Sequence, residues 1–138
     1  MHPKSIKRLM PPARSSELNT LSESCGILPS SYLAFLEESN GVEWVVKNQD
    51  GDCLKIWSAQ DVPVYNNDYD IALYLPELLA FGSDGGDGAV AFDRAVSDDP
   101  ECWTIVRIGF GNLDRADFVQ LATGFRSWQA SEFRLKRG

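Results

Sequence analysis

Apolar residues at helical spacing predict a first helix after a polar beginning. Leu18, Leu21 and Cys25 recur every three or four positions, which places them on one face of a helix. Gly26 follows directly, and glycine commonly ends a helix in a left-handed conformation. Residues 1–14 carry two adjacent prolines and no such periodicity. The sequence therefore predicts a basic, flexible N-terminal tail over residues 1–14 and a folded domain over residues 15–138.

The second predicted helix has clear boundaries. Pro29 suits the first helical position, where its missing N–H costs no hydrogen bond. Tyr32 and Phe35 then fall on one face, and Asn40-Gly41 ends the helix because both residues tolerate a positive φ. We expect the apolar face of this helix to pack on the rest of the domain.

Alternating apolar residues then predict strands joined by tight turns. Val42, Trp44 and Val46 alternate with polar residues in VEWVVKN, which is typical of a strand. NQDGD holds the Asp-Gly pair of a hairpin turn, and CLKIW is predicted to pair back. Farther along, AVAFD and the β-branched run CWTIVRIGF predict two more strands.

Two regions are less regular. DVPVYNNDYDIA predicts a turn-rich polar loop, in which Val62 and Val64 form at most a short edge strand. ADFVQL fits either a strand or the first turn of a helix. Thr123 is the predicted cap of a terminal helix that directs Phe125 and Trp128 to the core. Together the patterns predict a single α+β domain with a central antiparallel sheet, on which two N-terminal helices and a C-terminal helix pack.

The stretch FGSDGGDGAVAFD, residues 81–93, has the composition of phosphate-binding and calcium-binding loops. A P-loop needs a lysine and a hydroxyl after its last glycine, and this stretch has no lysine. The glycine spacing breaks the dinucleotide-binding pattern, and the acid spacing breaks the EF-hand pattern. A weak calcium site formed by Asp84 and Asp87 remains an alternative.

The favoured interpretation of this stretch is a hairpin turn. Glycines let the chain adopt a positive φ twice while it reverses between two strands, with Gly85 or Gly86 at one of these positions. The glycines assigned to this structural turn are Gly82, Gly85, Gly86 and Gly88.

Catalytic and metal-binding side chains are scarce. The single histidine, His2, lies in the predicted tail, so neither a Ser-His-Asp triad nor a Cys-His pair has its base. Cys25, Cys53 and Cys102 are isolated and lack the C-x-x-C pairing of a zinc site. The sequence therefore predicts a protein that is not an enzyme and that holds no metal ion or cofactor.

The cysteines and tryptophans are predicted to be buried. An odd number of distant cysteines indicates a reducing compartment, so the cytoplasm is the expected location, and free thiols usually pack as small hydrophobes. The four tryptophans lie on patterned elements, which favours core packing. No apolar run is long enough to span a bilayer, and the N-terminus lacks the apolar segment of a secretory signal.

Charge is distributed unevenly along the chain, whose formal net charge is −7. Residues 43–101 carry thirteen acidic and three basic residues. An acidic centre repels nucleic acid and anionic membranes, whereas it attracts a basic protein surface and speeds its association. The alternative is that this acidity only keeps the protein soluble.

Aromatic residues interleaved with these acids indicate where a protein partner would bind. Tyr65 and Tyr69 lie in the predicted polar loop, and protein interfaces favour aromatic anchors inside a polar rim. We expect the loop acids and the turn acids to share one exposed surface. The candidate partner-binding residues are Asp61, Tyr65, Asp68, Tyr69, Asp70, Asp84 and Asp87.

Three segments, in order, resemble the SUKH superfamily over about residues 15–130. The first runs from Leu28-Pro29 through Tyr32 and Phe35 to Asn40-Gly41. The second is LLAFGSDGGDGAVAFD, and the third is FVQLATGFRSWQ. The resemblance implies an α+β fold with a central antiparallel sheet, and it implies a strand at ADFVQL.

The resemblance also bears on function. Many bacterial members of the superfamily are immunity proteins that neutralise polymorphic toxins, often nucleases, and eukaryotic members include yeast regulators of cell-wall synthesis. It implies a non-catalytic protein-binding module, with an immunity protein against a basic toxin domain as the leading hypothesis. A housekeeping scaffold or regulator without a toxin partner is the alternative, and a small-ligand or calcium binder is a third.

Overall fold

The structure, a computed structural model, describes residues 5–46 and 53–135. In this part of the chain, seven antiparallel strands form one sheet in the chain order β1 to β7, together with five helices. The strands are β1 Ser5–Leu9, β2 Val42–Val46, β3 Cys53–Ile56, β4 Leu78–Ser83, β5 Gly88–Asp93, β6 Thr104–Gly109 and β7 Val119–Ala122. The helices are α1 Ser15–Cys25, α2 Ser30–Glu38, α3 Asp61–Asp68, α4 Ile71–Tyr74 and α5 Phe125–Ala130. This architecture confirms the predicted α+β domain.

The structure differs from the predicted flexible tail. Residues 5–9 form β1, which pairs along its length with β2. Beyond it, Met10 N–H donates to Ser39 Oγ at 2.9 Å, and Pro11 C=O accepts from Asn40 N–H at 2.9 Å. This strand depends on a partner more than thirty residues away, so a search for local periodicity did not find it.

One face of the sheet holds the aromatic core. Phe92 of β5 packs against Tyr32 of α2, with ring centroids 5.2 Å apart, and stacks on Phe81 at 4.2 Å. Phe125 and Trp128 of α5 are fully buried beside them, as predicted. Trp44 and Trp103 are also buried here, and Trp57 is buried on the other face of the sheet. We call the face with the aromatic core the helix face because α2 and α5 cover it.

The opposite face is covered by α3 only where β3 ends. The predicted loop or edge strand at residues 62–64 is instead the first turn of α3, where Pro63 is tolerated because the early N–H groups of a helix have no intrahelical partner. Val62 is fully buried, and Asn66 is buried beside the sheet. These tertiary contacts stabilise a helix that the turn-rich composition disfavours.

Asn66 attaches α3 to the sheet. β3 pairs with β4 only near Lys55 and Ile56, after which the two strands diverge. Beyond that point the Asn66 side chain donates to Ala80 C=O at 2.8 Å and accepts from Ala80 N–H at 2.9 Å. The amide thus replaces a neighbouring strand at the open edge of β4.

The glycine-rich stretch is a hairpin between β4 and β5, as predicted. Gly85 has a φ of +82°, while Gly86 and Gly88 have no positive φ, so the turn uses this conformation once and not twice. The Asp84 carboxylate accepts hydrogen bonds from Gly86 N–H at 2.9 Å and Gly88 N–H at 3.0 Å. These hydrogen bonds stabilise the turn between the two strands.

Several smaller predictions can be compared with the structure. Strand β7 begins within ADFVQL and ends one residue beyond it, which confirms the strand. Helix α5 begins after Gly124 without a side-chain cap, so the predicted Thr123 cap is wrong. Cys25 and Cys53 are half-buried, but Cys102 is exposed, contrary to the expected burial. The predicted NQDGD turn between β2 and β3 lies outside the described residues. Across the two described ranges, no helix is long and apolar enough to cross a membrane.

Candidate partner-binding site

A groove of about 640 Å³ opens on the face of the sheet opposite the helix face. Residues that lie opposite one another in antiparallel strands point to the same face. Ser83, Lys55 and Glu43 are such neighbours on β4, β3 and β2, and they form the polar floor. The groove exists because α3 covers only the part of this face next to β4.

Four aromatic side chains form one wall of the groove, and we call them the aromatic row: Trp57, Tyr65, Tyr69 and Phe110. Tyr69 stacks on Phe110 with ring centroids 4.2 Å apart, and Trp57 lies 4.7 Å from Tyr65. Trp57 is nearly buried, whereas 43% of Tyr69 is exposed. The row therefore runs from the core to an exposed ring at the surface.

The opposite wall is the segment that leads from β1 into α1. Ala13 N–H donates to Leu36 C=O at 2.9 Å, which fixes this segment against the end of α2. Arg14 N–H donates to the Glu17 carboxylate at 2.8 Å, and Glu17 also accepts from the Gln60 side chain. Hydrogen bonds thus connect this wall to Leu36 of α2 and to Gln60, the residue before α3.

Four exposed carboxylates lie on the segments that carry or adjoin the aromatic row, and we call them the acidic rim: Asp61, Asp68, Asp70 and Asp87. Asp61 lines the groove at the start of α3, and Asp68 and Asp70 flank Tyr69. The backbone carbonyl of Asp87 accepts from Phe110 N–H at 2.7 Å, which brings the hairpin tip to the same surface. Within the described ranges, no hydrogen bond or ion pair engages these four carboxylates.

Asp70 has a left-handed backbone, with a φ of +61°. Asp and Asn adopt this conformation more readily than other non-glycine residues. The bend separates α3 from α4 directly after Tyr69. The position therefore accepts asparagine without a change in backbone preference.

Asp84 does not join this surface, contrary to the prediction. Its carboxylate binds the Arg107 guanidinium at 2.7 Å and 2.9 Å, and Arg107 shares the helix face with Val90. Burial alone would raise the pKa of Asp84, but the hydrogen bonds from Gly86, Arg107 and Gly88 hold it below the usual value. Asp84 is thus a structural residue, and the sequence did not reveal Arg107, which lies 23 residues away.

The same engagement weighs against the calcium alternative. A guanidinium already occupies the Asp84 carboxylate, and its charge repels a cation. Among the residues that the structure describes, no cluster of three or more His, Cys, Asp or Glu side chains is placed to hold a metal ion.

Other acids that lie outside the acidic rim also have structural partners. Asp93 at the end of β5 binds Arg115 at 2.9 Å, and its side chain is only 4% exposed. Glu101 accepts hydrogen bonds from Ser30 Oγ, Ser31 Oγ and Ser31 N–H at the start of α2. Structural acids and rim acids are therefore distinguished by their partners and not by their sequence context.

Sequence reasoning missed Phe110 as a member of the site, and it favoured core packing for Trp57, which lies among the acids with Tyr65 and Tyr69. Phe110 follows β6 in phase with Ile108, which points to the face opposite the helices. Trp57 follows Lys55 in the same way on β3. Strand alternation extended one step beyond each strand would have placed both rings on the groove side.

The model of the SMI1/KNR4 family (SUKH-1) matches residues 12–131. The chain belongs to the SMI1/KNR4 family. No curated protein matches it.

The SMI1/KNR4 match covers the aromatic row and the acidic rim completely. It begins at Pro12, so β1 and the first residues of the opposite groove wall lie outside it. The SMI1/KNR4 match thus contains strands β2 to β7, the five helices and the exposed surface of the site.

Proposed function

We propose that this chain is a non-catalytic protein-binding module, and specifically an immunity protein that neutralises a basic toxin domain. The observation that carries the proposal is the acidic rim around the exposed Tyr69 ring. Four carboxylates without an intramolecular partner in the described ranges create a negative field at one place, next to an aromatic ring. Family membership supports a binding role, because protein binding is what the SUKH resemblance implies.

In this proposal the acidic rim and the Tyr69 ring act at different stages of binding. Exposed charges act over a distance and accelerate association with a basic surface, and salt screens them. A partly buried aromatic ring acts after contact, because it removes apolar surface from water in the complex. The proposed interface consists of Asp61, Tyr65, Asp68, Tyr69, Asp70 and Asp87, and Asp84 is left out.

The composition of the groove supports a role without catalysis. Its lining has neither histidine nor cysteine, and within the described ranges no hydrogen bond joins the Ser83 hydroxyl to the side chain of Lys55, its cross-strand neighbour. Ser83 therefore lacks the hydrogen-bonded base that would activate it as a nucleophile. The free thiols of Cys25, Cys53 and Cys102 fit a cytoplasmic location.

Surface plasmon resonance against a basic toxin domain encoded beside this gene tests the proposal. Asp68→Asn with Asp70→Asn is expected to slow association at low salt and to have less effect at high salt. Both substitutions preserve shape, and asparagine suits the left-handed backbone of Asp70. Tyr69→Ala is expected to raise the dissociation rate.

The matched control is the double variant Glu37→Gln with Glu38→Gln. It removes the same charge from exposed positions on α2, on the other side of the sheet. If the control slows association as much as the rim variant does, the effect is one of net charge and the proposed surface is wrong. Failure of any adjacent basic domain to bind favours the scaffold alternative.

A further inference from the structure

The groove is larger than electrostatic attraction alone requires. An acidic rim on a flat surface would suffice to steer a basic partner. Here the rim borders a groove of about 640 Å³, which falls within the roughly 300–1,000 Å³ that proteins use to enclose a ligand group. The partner therefore has space to insert a side chain between the aromatic row and the opposite wall.

The aromatic row offers ring faces to that side chain. Phe110 lies nearly parallel to Trp57, with an interplanar angle of 17°, and stacks on Tyr69, which is 43% exposed. Aromatic faces are negative and attract a cation positioned within about 6 Å. The chain already contains one such contact, because Arg115 Cζ lies 5.0 Å from the centre of the Phe118 ring.

The charged residues that line the groove include one acid whose carboxylate has no partner among the described residues. They comprise three acids, Glu17, Glu43 and Asp61, and two bases, Arg14 and Lys55. Glu17 is held by the Arg14 backbone N–H and by Gln60, and Glu43 lies 3.9 Å from Arg8. The Asp61 carboxylate has no such contact within the described ranges. It is thus the acid most available to an incoming cation.

We infer that the groove accepts an arginine side chain of the partner protein, with its guanidinium stacked on the aromatic row and paired with Asp61. This inference rests on the proposed function and specifies how the partner is recognised. Arginine suits the groove better than lysine because its guanidinium is planar, weakly hydrated and able to stack on rings while it binds a carboxylate.

Titration with three capped tripeptides, followed by two-dimensional NMR of the labelled protein, tests the inference. The probes are Gly-Arg-Gly, Gly-Lys-Gly and Gly-citrulline-Gly, because citrulline keeps the shape of arginine without its charge. The arginine peptide is expected to shift the Trp57 indole N–H and the Phe110 amide in a saturable way. The lysine peptide should bind more weakly, and citrulline should give no saturable shift.

Asp61→Asn is the decisive variant because the residue is exposed and the substitution preserves its shape. It should weaken binding of the arginine peptide roughly twofold to fivefold or more, the effect of one exposed charged contact. Asp98→Asn, which removes an exposed acid outside the groove lining and the acidic rim, should leave binding unchanged. Tyr69→Ala provides a second, independent variant.

The outcomes separate the two proposals. If the citrulline peptide shifts the same signals equally, or if the arginine peptide shifts only Asp68, Asp70 and Asp87, the inference is overturned. In that case a slower association of the Asp68→Asn and Asp70→Asn variant with a toxin domain would still support the proposed function. If the arginine peptide binds in the groove but no basic toxin domain binds the protein, the proposed function fails, and the arginine site remains without its proposed partner.

Discussion

The phenol oxygen of Tyr32 is buried and has no hydrogen-bond partner among the described residues, although the ring packs against Phe81, Phe92 and Phe125. Burial raises the pKa of Tyr32, so the phenol stays neutral. Tyr32→Phe keeps the ring and removes an unsatisfied polar group. We expect the free energy of unfolding to stay the same or to rise by about 1 kcal/mol.

Tyr32→Ala serves as the comparison in the same urea denaturation experiment. It leaves a cavity beside the rings and should cost about 3–5 kcal/mol. A loss of more than about 1 kcal/mol in Tyr32→Phe would show that the hydroxyl forms a stabilising hydrogen bond.

At the hairpin, the neighbouring residues Gly85 and Gly86 differ in whether a side chain fits at their position. Gly85 has a positive φ, and an added Cβ would lie 2.8 Å from Cys53 Cβ. The corresponding atom on Gly86 would meet nothing closer than 3.6 Å. Gly85→Ala should therefore lower the free energy of unfolding by about 1 kcal/mol or more, and Gly86→Ala should cost less. Equal losses in chemical denaturation would contradict this assignment.

At the scale of elements, Glu101 holds the start of α2 through Ser30 and Ser31. Burial tends to raise the pKa of Glu101, but the hydrogen bonds from these serines and the nearby Arg126 lower it below its ordinary value of 4.5. A lowered pKa means that the carboxylate stabilises the fold above pH 4.5. That contribution is lost as the pH falls through the folded-state pKa.

Glu101→Gln is therefore expected to be pH-dependent in its effect. At pH 7 it should lower the free energy of unfolding by about 1 kcal/mol, as the loss of a helix cap does. As the pH falls below 4.5 and through the lowered folded-state pKa, the wild-type carboxylate becomes protonated, so the difference between the two proteins should shrink. Denaturation curves at pH 7 and at a descending series of acidic pH values measure this, and a difference that does not change with pH would refute it.

We expect a larger loss of stability when the Asn66 contact between α3 and β4 is removed. Asn66→Ala leaves the buried N–H and C=O of Ala80 without their partner, at an expected cost of about 2–4 kcal/mol. Asn67→Ala is the control, since that neighbouring side chain is exposed. Hydrogen exchange of the Ala80 amide should accelerate only in the Asn66 variant. Unchanged exchange would show that another group protects this edge.

The sequence predicted elements whose signals are local and missed those that depend on distant residues. Helix α1 was found from Leu18, Leu21 and the terminal Gly26, all within nine positions. Helix α3 was missed because its stability comes from the burial of Val62 and from the bonds of Asn66 to β4. Strand β1 was missed because its pairing partner is β2.

At the scale of the whole molecule, the acids of the candidate site were predictable and their arrangement was not. Composition indicated an acidic centre with Tyr65 and Tyr69 inside it. It did not indicate that Phe110 closes the row, or that Arg107 removes Asp84 from it. Spatial proximity across the sheet decides which acids are exposed for a partner and which ones hold the fold.

The two faces of the sheet differ in what they carry. The helix face carries the stacked rings of the core, so a substitution there changes stability. The opposite face carries the groove and the acidic rim, where an isosteric charge substitution leaves the packing intact. If the proposed interface is right, substitutions at the acidic rim should therefore change binding without changing stability.

The Asn66 contact also bears on how such proteins diverge. One amide, with the buried Val62 and Ile71, fastens α3 and α4 to the sheet. Val64, Asn67 and Asp68 are exposed positions between these anchors, so substitutions there should carry little folding penalty. Changes that accumulate at these positions alter the outer surface of α3 while the same amide keeps the segment in place.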